Sequence, residues 1–450
     1  MKRSGLKVDN KQEKKGLSRR DFIKAAGATA AGVVASSLVG GSVMAQGASA
    51  PAAPSVIGAN ERLNYAIIGV GGMGSGHLNH IKALSAEQNL AILAVSDVWD
   101  KRRLAAANSA GIPESQSFRD YRKVLENKDI DVVVIATPDH WHAQIAIDAM
   151  QAGKHVYCEK PMTRTLDEAF KMHKTAKETG KLVQVGSQGC TDAKWHVAGQ
   201  AVKDGKIGTV LVAQGGYCRN NPNGEWNWPI DDSADPKTNL DWNMWLGKAP
   251  KRPWDPDRYF RWRKFWDYGN GIIGDLWPHR LHPLMIAMNN MEFPHRVVCL
   301  GANIMHTDRN PNDPAHPFGE ERDVADATQM IAEFPNGSMI YLLGSTVNEL
   351  GPEDLIRGNK ANMFFGGGKV TIKPERPWTD EIEAQDLPVV GPGEDQREHH
   401  KNLIKCIREG GTPNCNIDLA LRVQTIVSMA ELSYRQSKMA LFDVEKQKLI

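Results

Sequence analysis

Residues 64–77 of this chain read NYAIIGVGGMGSGH, and this stretch decides the fold. Its apolar run, residues 65–68, predicts a short buried strand of a parallel sheet. Three glycines with GxGxxG spacing follow at Gly69, Gly71 and Gly74. In a strand–turn–helix unit the first such glycine permits a tight turn, the second lets the backbone approach a pyrophosphate, and the third lets helix and strand pack closely. The stretch therefore predicts a dinucleotide site, in which the phosphates meet free N–H groups at the start of a helix.

A second predicted strand places an acidic residue where such a site needs one. Residues 91–95 read AILAV and lead into Ser96-Asp97, which puts a carboxylate about 20 residues beyond the glycines. There it can accept a hydrogen bond from a ribose hydroxyl, and we expect Gly72 and Met73 to complete the phosphate-binding loop. The alternative is a strand–turn–helix unit that holds no ligand.

The residues around Asp97 leave two cofactors open. A carboxylate at this position repels a 2′-phosphate and so favours NAD. Lys101, Arg102 and Arg103 follow closely, and such cations are able to accommodate the extra phosphate of NADP. We expect NAD, with NADP as the alternative.

The first 50 residues are expected to be an export signal and linker outside the folded domains. Residues 18–24 read SRRDFIK, a twin-arginine signature that follows a basic segment, and residues 25–43 are rich in Ala, Gly and Val. A membrane anchor is the alternative, but the stretch is too rich in Ala and Gly to be a strong span, and no later segment reads as transmembrane. The signal predicts a periplasmic protein that folds, and acquires its nucleotide, before export.

Composition excludes some classes of partner and leaves the cysteines unassigned. Lys and Arg number 55 and Asp and Glu number 53, so the net charge of +2 provides no field that would attract nucleic acid or an anionic membrane. The six cysteines show neither CxxC pairs nor metal-ligand spacing. A disulfide is possible in an oxidising compartment, but the positions do not assign one.

The 450 residues are enough for two domains. From residue 61 to 186, apolar strand patterns alternate with helical ones, which predicts a Rossmann domain with a doubly wound parallel sheet. Further on, the turn Pro335-Asn336-Gly337 lies between two apolar runs, a strong signal for an antiparallel hairpin. Residues 187–450 therefore predict a second α/β domain with a large, mostly antiparallel open sheet. Its last helix, near residues 419–437, is a candidate for packing on the first domain.

Two polar clusters carry the candidate chemistry. Glu159-Lys160-Pro161 follows a predicted strand, and a lysine there is able to donate to a substrate hydroxyl beside a nicotinamide; an ordinary surface lysine is the alternative. In the second cluster Asp275, His279 and His282 share one face if residues 271–282 are helical, so that Asp275 would fix the tautomer of His279, as a general base requires. One alternative is a pair of core histidines with Asp275 as a helix N-cap. Another is a metal site formed by all three side chains.

The tryptophans are concentrated in one part of the second domain. Flat aromatic faces bury the apolar faces of sugars, whereas simple packing of a loop on its own sheet is the alternative. We expect most of these rings to pack and one or two to contact a substrate. Eight of the twelve are Trp226, Trp228, Trp242, Trp245, Trp254, Trp262, Trp266 and Trp277.

The ordered set of motifs resembles the Gfo/Idh/MocA oxidoreductases over about residues 61–445. The resemblance rests on the glycine fingerprint, Asp97, Thr137-Pro138-Asp139-x-x-His142, Glu159-Lys160-Pro161 and Asp275-x-x-x-His279. It implies a Rossmann domain, a C-terminal α/β domain, and reversible hydride transfer between NAD(P) and a carbon of a sugar, glycoside or cyclitol. Relatives in this family commonly associate through the open sheet, so a homo-oligomer, a dimer or tetramer, is expected.

By the same resemblance, Lys160 binds and polarises the reacting hydroxyl, His279 is the acid/base, and Asp275 orients His279 and contacts substrate. The chain departs from its relatives before the histidine, where Trp277-Pro278 replaces Gly-Val or Gly-Ile, and it adds His282. The residues expected at the cofactor, besides the glycine loop and Asp97, are Thr137, Pro138, His142, Glu159 and Lys160.

The resemblance leaves two other functions open. Some relatives use a bound NAD to hydrolyse glycosides through transient oxidation, although they usually lack a Glu-Lys-Pro of this form. A non-catalytic sugar-binding protein that keeps the fold is the second alternative. Since the periplasm has little free nucleotide to exchange, we expect an exported oxidoreductase to keep its cofactor bound.

Overall fold

A computed structural model describes residues 61–222, 224–305 and 322–450 of the chain. The export signal predicted within residues 1–50 lies outside the described residues. Two β-sheets follow one another along the part that is described. None of the helices in these ranges has the length and apolar character that crossing a bilayer requires.

Six parallel strands form the first sheet, and helices connect them. Their apolar runs are of the kind that a sheet covered on both faces requires. The strands are β1 (Leu63–Ile68), β2 (Leu90–Ser96), β3 (Ser117–Phe118), β4 (Val132–Ile135), β5 (His155–Glu159) and β6 (Val183–Gly186). The helices are α1 (Gly72–Gln88), α2 (Asp100–Ala110), α3 (Tyr121–Glu126), α4 (Asp139–Gln151) and α5 (Leu166–Thr179).

The order of these strands across the sheet is β3-β2-β1-β4-β5-β6, which is the arrangement of a dinucleotide-binding Rossmann fold. Side chains of β1 alternate between two apolar clusters: Tyr65 and Ile67 pack in the cluster of Leu78 on α1, and Ala66 packs in that of Ile145 on α4. The predicted doubly wound sheet is confirmed. The strand order reverses between β1 and β4, so the loops after these strands diverge and leave a crevice.

Ten strands form the second sheet. They are β7 (Val210–Cys218), β8 (Arg296–Ala302), β9 (Ala327–Glu333), β10 (Met339–Ser345), β11 (Leu355–Gly358), β12 (Ala361–Gly366), β13 (Lys369–Pro374), β14 (Gln385–Pro388), β15 (Ala440–Asp443) and β16 (Lys448–Leu449). Their order is β14-β13-β12-β11-β7-β10-β9-β8-β15-β16, and each neighbouring pair is antiparallel except β7 with β10. The predicted large, mostly antiparallel sheet is therefore confirmed.

Strands β9 and β10 form the predicted hairpin around Pro335-Asn336-Gly337. Gly337 has a φ of 83°, a left-handed conformation that glycine adopts without steric cost. The turn closes with a hydrogen bond of 3.0 Å from Phe334 N to Ser338 O.

The last long helix contacts both domains. It begins after Asn416, whose side chain accepts from the N–H groups of Asp418 and Leu419, and it packs on β8 of the second sheet and on α5 of the first domain. It is α12 (Ile417–Gln436), and the helices before it are α6 (Ala193–Lys203), α7 (Trp242–Leu246), α8 (Pro256–Phe260), α9 (Gly271–Asp275), α10 (Pro278–Ala287) and α11 (Gln396–Glu409).

Residues 224–270, called the aromatic segment below, connect β7 to α9. The segment contains only the short helices α7 and α8 and one turn of 3-10 helix. Its rings form a separate apolar cluster that includes Trp242, Trp245 and Tyr259, together with Trp99 from the first domain. The aromatic segment is thus packed against the nucleotide-binding domain.

Candidate active site

A cavity of about 600 Å³ lies where β1, β2, β4 and β5 end. Ligands of open α/β sheets bind at this edge, in the crevice where the strand order reverses. Gly74 is the one predicted site residue that does not line it. The predicted residues that do are Gly69, Gly71, Gly72, Met73, Asp97, Thr137, Pro138, His142, Glu159, Lys160, Asp275 and His279.

The glycine turn is crowded on one side and open on the other. A Cβ at Gly69 would lie 2.8 Å from the backbone that follows β4, and a Cβ at Gly74 would lie 1.8 Å from the carbonyl oxygen of Gly69. These two glycines therefore serve the close packing of strand and helix. Among the residues that the structure describes, only the Arg102 side chain comes within 4 Å of a Cβ placed on Gly71, and none comes within 4 Å of one on Gly72. The N-terminus of α1 is accordingly open to a phosphate group.

Asp97 directly follows β2 and connects the glycine turn to the cavity. Its Oδ2 accepts from Val70 N at 3.0 Å, and its Oδ1 accepts from Trp99 N at 3.0 Å. Burial raises the pKa of this carboxyl, and the charge of Arg102 and the two backbone donors oppose the shift. The carboxylate therefore shapes the turn as well as presenting an acceptor to a ligand.

The three basic residues after Asp97 have different surroundings. Lys101 pairs with Asp231 at 2.6 Å, and Arg103 pairs with Asp100 at 2.7 Å, so both are engaged away from the cavity. Of the three, only Arg102 is a cavity-lining residue.

Thr137 supports a fit between this cavity and a dinucleotide. Its hydroxyl oxygen is buried and has no hydrogen-bond partner in the part of the chain that the structure describes. An unpaired buried hydroxyl costs about 1–3 kcal/mol, and a polar ligand in the cavity would relieve that cost. With the open loop at Gly71 and Gly72 and the acceptor at Asp97, the residues present fit a bound NAD.

His142, predicted to contact the cofactor, has both ring nitrogens engaged by the backbone. Its Nδ1 lies 2.8 Å from Pro161 O and its Nε2 lies 2.9 Å from Thr137 O. Burial lowers the pKa of the ring. The side chain reaches the cavity wall, but its polar atoms hold together the two loops that carry Thr137 and Lys160.

Glu159 belongs to a buried network that sequence reasoning missed. Its Oε1 lies 2.9 Å from His77 Nε2, and His77 Nδ1 lies 2.9 Å from His400 Nε2. Burial alone would raise the pKa of Glu159, but the hydrogen bond and charge of His77 and the charge of Lys160 outweigh it and lower the pKa. An ionised carboxylate is thus held beneath the glycine helix, next to Lys160.

Lys160 lies at the end of β5 and is held by Asp275. Its Nζ donates to the carbonyl oxygen and to Oδ1 of Asp275, both at 2.7 Å. Arg263 Nε donates to the same Oδ1 at 2.9 Å, and Trp226 Nε1 donates to Oδ2 at 3.1 Å. Sequence reasoning placed Lys160 and Asp275 in the site but missed Arg263 and Trp226 as partners of this carboxylate.

The charges around Asp275 determine its ionisation. Burial alone would raise the pKa of its carboxyl, but the cations Lys160 and Arg263 and their hydrogen bonds outweigh burial and hold the pKa well below its ordinary value. Nearby Asp139 differs, because burial raises its pKa to about 7 against the opposing charge of Arg263. Of these two cavity carboxyls, Asp275 is therefore firmly ionised and Asp139 titrates near neutrality.

The prediction that Asp275 bonds to His279 and fixes its tautomer is wrong. In the described structure Asp275 bonds to Lys160, Arg263 and Trp226, and no hydrogen bond joins it to His279. The reason is local: α9 ends at Asp275 and α10 begins at Pro278, since a proline has no N–H to continue a helix. Asp275 does not cap α10 either, because Trp277 is its N-cap and contributes no side-chain bond.

His279 is buried and neutral. Its ring stacks on Tyr217 with centroids 5.1 Å apart, and its Nδ1 has no hydrogen-bond partner among the described residues. Burial lowers its pKa to about 3, with the charge of Lys160 acting in the same direction. A neutral imidazole on the wall of the cavity is able to accept a proton.

His282 does not join the other two side chains of its cluster. Its Nδ1 lies 2.9 Å from Pro278 O and its ring is buried. The described residues contain no group of three or more His, Cys, Asp or Glu side chains placed to hold a metal ion. The six cysteines, all within the described ranges, are free.

Half of the eight concentrated tryptophans face the cavity. Trp277 is fully buried, and Trp242 packs against Trp245 with ring centroids 4.8 Å apart. Trp226, Trp245 and Trp262 are also buried in apolar clusters, so which rings contact a substrate stays a prediction. The tryptophans on the cavity wall are Trp226, Trp228, Trp245 and Trp262.

Comparison with known families identifies both domains and the signal. Residues 63–187 match the Gfo/Idh/MocA oxidoreductases, described as an oxidoreductase family with an NAD-binding Rossmann fold, and residues 223–313 match the C-terminal α/β domain of that family. Residues 16–36 match the twin-arginine translocation signal. The predicted signal is therefore confirmed and indicates export.

Individual relatives are moderately similar. A glycosyl hydrolase family 109 protein of Shewanella pealeana is 29% identical over 282 residues, which are 61% of this chain and 56% of that protein, so the chain spans about half the length of this relative. Levoglucosan dehydrogenase of Pseudarthrobacter phenanthrenivorans is 27% identical over 391 residues, 78% of this chain and 91% of that protein. A solved structure of levoglucosan dehydrogenase with NADH and levoglucosan has a TM-score of 0.64 at 20% identity and covers 84% of this chain and 98% of that one. At this identity the likeness of structures concerns the fold.

Proposed function

We infer the reaction from the premise that the chain belongs to the Gfo/Idh/MocA family of NAD-binding oxidoreductases. We propose that it transfers hydride between NAD and a hydroxyl-bearing carbon of a sugar, glycoside or cyclitol. The observation that carries the proposal is the position of Lys160, held by Asp275 in the same cavity as the open glycine loop and a neutral His279.

Lys160 is proposed to bind the reacting hydroxyl. An ammonium group has three donors, and two of those on Lys160 go to Asp275. The third is left for the oxygen of a substrate, whose proton becomes more acidic beside a cation. Asp275 acts through Lys160, because its carboxylate fixes where the ammonium group points.

His279 is proposed to take the proton of that hydroxyl. A pKa lowered to about 3 keeps the ring neutral at physiological pH. It also makes the ring a weak base, so proton uptake depends on neighbouring charges that favour the protonated ring. The ionised Asp275 favours the charged ring that results, and its charge opposes the effects of burial and Lys160. A bound nicotinamide supplies the acceptor for the hydride, and Thr137 and the glycine loop are the groups of this chain that would hold the dinucleotide.

The substrate class is proposed from the walls of the cavity. Rings of Trp226, Trp228 and Trp262 line it, and aromatic faces suit the apolar faces of pyranose rings. The nearby cations are paired: Arg263 with Asp275 and Arg219 with Glu225, each at 2.9 Å. Such a balanced wall suits a neutral carbohydrate, and the levoglucosan dehydrogenase relative acts on one by name.

The place of action is proposed to be the periplasm. The twin-arginine signal indicates export, and a protein that leaves the cytoplasm already folded can take its nucleotide with it. We propose that the NAD stays bound and that a second sugar or an external acceptor reoxidises it.

We also propose a homo-oligomer that associates through the exposed face of the ten-stranded sheet.

A second candidate is an NAD-dependent glycosidase, which the similarity to a glycosyl hydrolase family 109 protein favours. Oxidation and reduction would then cancel within one turnover. Product analysis separates the two: the glycosidase releases a free sugar with no net change in cofactor, whereas the oxidoreductase yields a carbonyl compound or lactone and reduced cofactor.

The test is to express the protein with its signal, purify the exported form, denature it and identify any released nucleotide. Stoichiometric NAD(H) supports the proposal, and the absorbance of the bound cofactor then serves to screen sugars and glycosides. A protein that carries no nucleotide, and that binds neither NAD nor NADH when they are added, would overturn it.

A further inference from the structure

The aromatic segment, residues 224–270, is attached to the nucleotide-binding domain directly after β2. Asp100 N donates to Asn239 O at 2.9 Å, and Asp241 N donates to Val98 O at 3.0 Å. These bonds form an antiparallel bridge, which begins one residue beyond Asp97, the carboxylate that follows β2. The segment therefore crosses the ribose side of the predicted dinucleotide site.

Trp99 anchors this attachment. Its side chain is 3% exposed, and its ring centroid lies 5.7 Å from that of Phe260 and 6.3 Å from that of Tyr259. Leu240 belongs to the same apolar cluster. A buried tryptophan removes about 150–250 Å² from water, so the attachment is part of a core and not a loose surface contact.

The segment is attached again after β4. The carbonyl oxygen of Trp245 accepts from Trp141 Nε1 at 2.7 Å and lies 2.9 Å from His140 Nε2. These two side chains follow the Thr137-Pro138 turn at the start of α4. The aromatic segment thus spans the crevice between the loops after β2 and β4, where a dinucleotide would lie.

Arg102 extends this cover to the glycine turn. Its guanidinium carbon lies 5.2 Å from the ring centre of Trp99 and 5.4 Å from that of Tyr259, within the range of cation–π attraction. The same guanidinium lies 3.5 Å from where a Cβ of Gly71 would be. One continuous wall therefore runs from the segment to the phosphate-binding loop. The segment's rings on the cavity are Trp226, Trp228, Trp245, Tyr259, Phe260 and Trp262.

We propose that the aromatic segment covers the bound dinucleotide and slows its release, so that the nucleotide is a resident group of the protein. The proposal rests on the proposed function, because it requires NAD in this cavity. We expect a ligand between the loops after β2 and β4 to be held longer while the contacts at Trp99 and Trp245 are intact.

The experiment measures release of NADH from the exported, full-length protein, followed as the loss of energy transfer from tryptophan to NADH after excess NAD is added. The wild type is expected to keep its nucleotide through dialysis, and Trp99→Ala is expected to release NADH at least tenfold faster. Trp378→Ala is the matched control, because it removes a tryptophan between β13 and β14, outside the aromatic segment. It is expected to keep the wild-type release rate.

A surface pair provides a test that leaves the core intact. Lys101 of the first domain and Asp231 of the segment form an ion pair of 2.6 Å with half-exposed side chains. Lys101→Asp is expected to speed release about two- to fivefold, the range that one exposed ion pair supports. Adding Asp231→Lys to this variant is expected to restore the wild-type rate.

Two results would be decisive against the inference. A wild type that binds NADH but releases it as fast as Trp99→Ala and Lys101→Asp overturns the cover and leaves the proposed function standing. A folded wild type that binds no NADH overturns the proposed function, and this inference with it.

Discussion

Lys160 depends on Asp275 for its position, since its ammonium group donates to both the carbonyl and the carboxylate of that residue. Lys160→Met keeps the length of the side chain and removes the donors. We expect kcat to fall by about 10²–10⁴, the usual contribution of a group that assists proton transfer, with a folded protein that still binds NADH. Steady-state and single-turnover rates with a sugar substrate check this.

The matched control for that variant is Lys174→Met. Lys174 lies on α5 with a side chain that is 75% exposed, and its nearest carboxylate is Glu178 at 3.7 Å. We expect this variant to keep the wild-type kcat. If Lys160→Met were as active as Lys174→Met, Lys160 would have no part in the chemistry.

The lowered pKa of His279 predicts how the free energy of unfolding changes with pH. Its pKa in the folded protein is about 3 because of burial, below the 6.5 of an ordinary histidine. Between these values the unfolded chain holds a proton that the folded chain does not, so the free energy of unfolding falls as pH is lowered below 6.5. One such group accounts for a slope of up to about 1.4 kcal/mol per pH unit.

His279→Asn removes this group, and we expect the slope of unfolding free energy between pH 6.5 and pH 5 to become shallower by up to that amount. Urea denaturation of both proteins in saturating NAD measures the slopes. Equal slopes would mean that the histidine has the same pKa in the folded and unfolded chains, which contradicts the lowering of its pKa by burial.

The sequence pattern also predicted which site residues directly follow strands. It missed the residues that reach the site only through tertiary packing. Gly69, Asp97 and Lys160 follow apolar runs, so their places at the cavity could be read from pattern alone. His77 and His400 are 323 residues apart in the chain. No local pattern predicts that they meet, because the contact depends on how α11 docks on α1.

At the scale of elements, the glycine helix α1 offers a matched pair of substitutions. A Cβ at Gly74 would lie 1.8 Å from a carbonyl oxygen, whereas no atom of the described part of the chain comes within 4 Å of one at Gly76. We expect Gly74→Ala to lower the free energy of unfolding by about 1–3 kcal/mol, as overpacking does, and to weaken NAD binding because the turn must move. We expect Gly76→Ala to be neutral or to stabilise by up to about 1 kcal/mol, since alanine favours helix.

Thermal and urea unfolding, with titration of NADH by fluorescence, measure both effects for this pair. Stabilisation of both variants would show that helix propensity, and not the close approach of α1 to β1, decides the outcome.

Elements also show where a sequence pattern misleads. The i, i+4 spacing of Asp275 and His279 predicts a shared helical face, yet the helix is interrupted between Asp275 and Pro278. Pro278 was the visible sign of that break. The sequence did not predict which side chains bond to Asp275 in place of His279. These are Lys160 and Arg263, which lie on other parts of the chain.

At the scale of the whole molecule, periodicity predicted both sheets, and the aromatic segment was the part that it could not place. Strand alternation and turn signals are local and repeat, so they indicate a parallel sheet followed by an antiparallel one. The attachment of the segment to Trp99 is a single long-range contact between irregular pieces of chain. Irregular segments have no period to interpret, and their docking depends on shape and burial.

The last prediction concerns the outer face of the ten-stranded sheet, the proposed association surface. Val298 and Ile331 are paired across β8 and β9 and are both exposed, and Leu300 on the same face of β8 is 72% exposed. Contiguous exposed apolar side chains of this kind mark association surfaces, and a two-fold interface would bring each of them close to a copy of itself or its neighbours.

We expect Leu300→Asp to shift the proposed oligomer toward monomer, measured by analytical ultracentrifugation, because burying an unpaired carboxylate on both sides is costly. Leu350→Asp is the control: Leu350 is 81% exposed but follows β10 and is not part of a strand, so its substitution should leave the mass unchanged. A wild type that is monomeric at micromolar concentration would contradict the proposed oligomer. A Leu300→Asp variant that keeps the mass of an oligomeric wild type would place the interface on another surface.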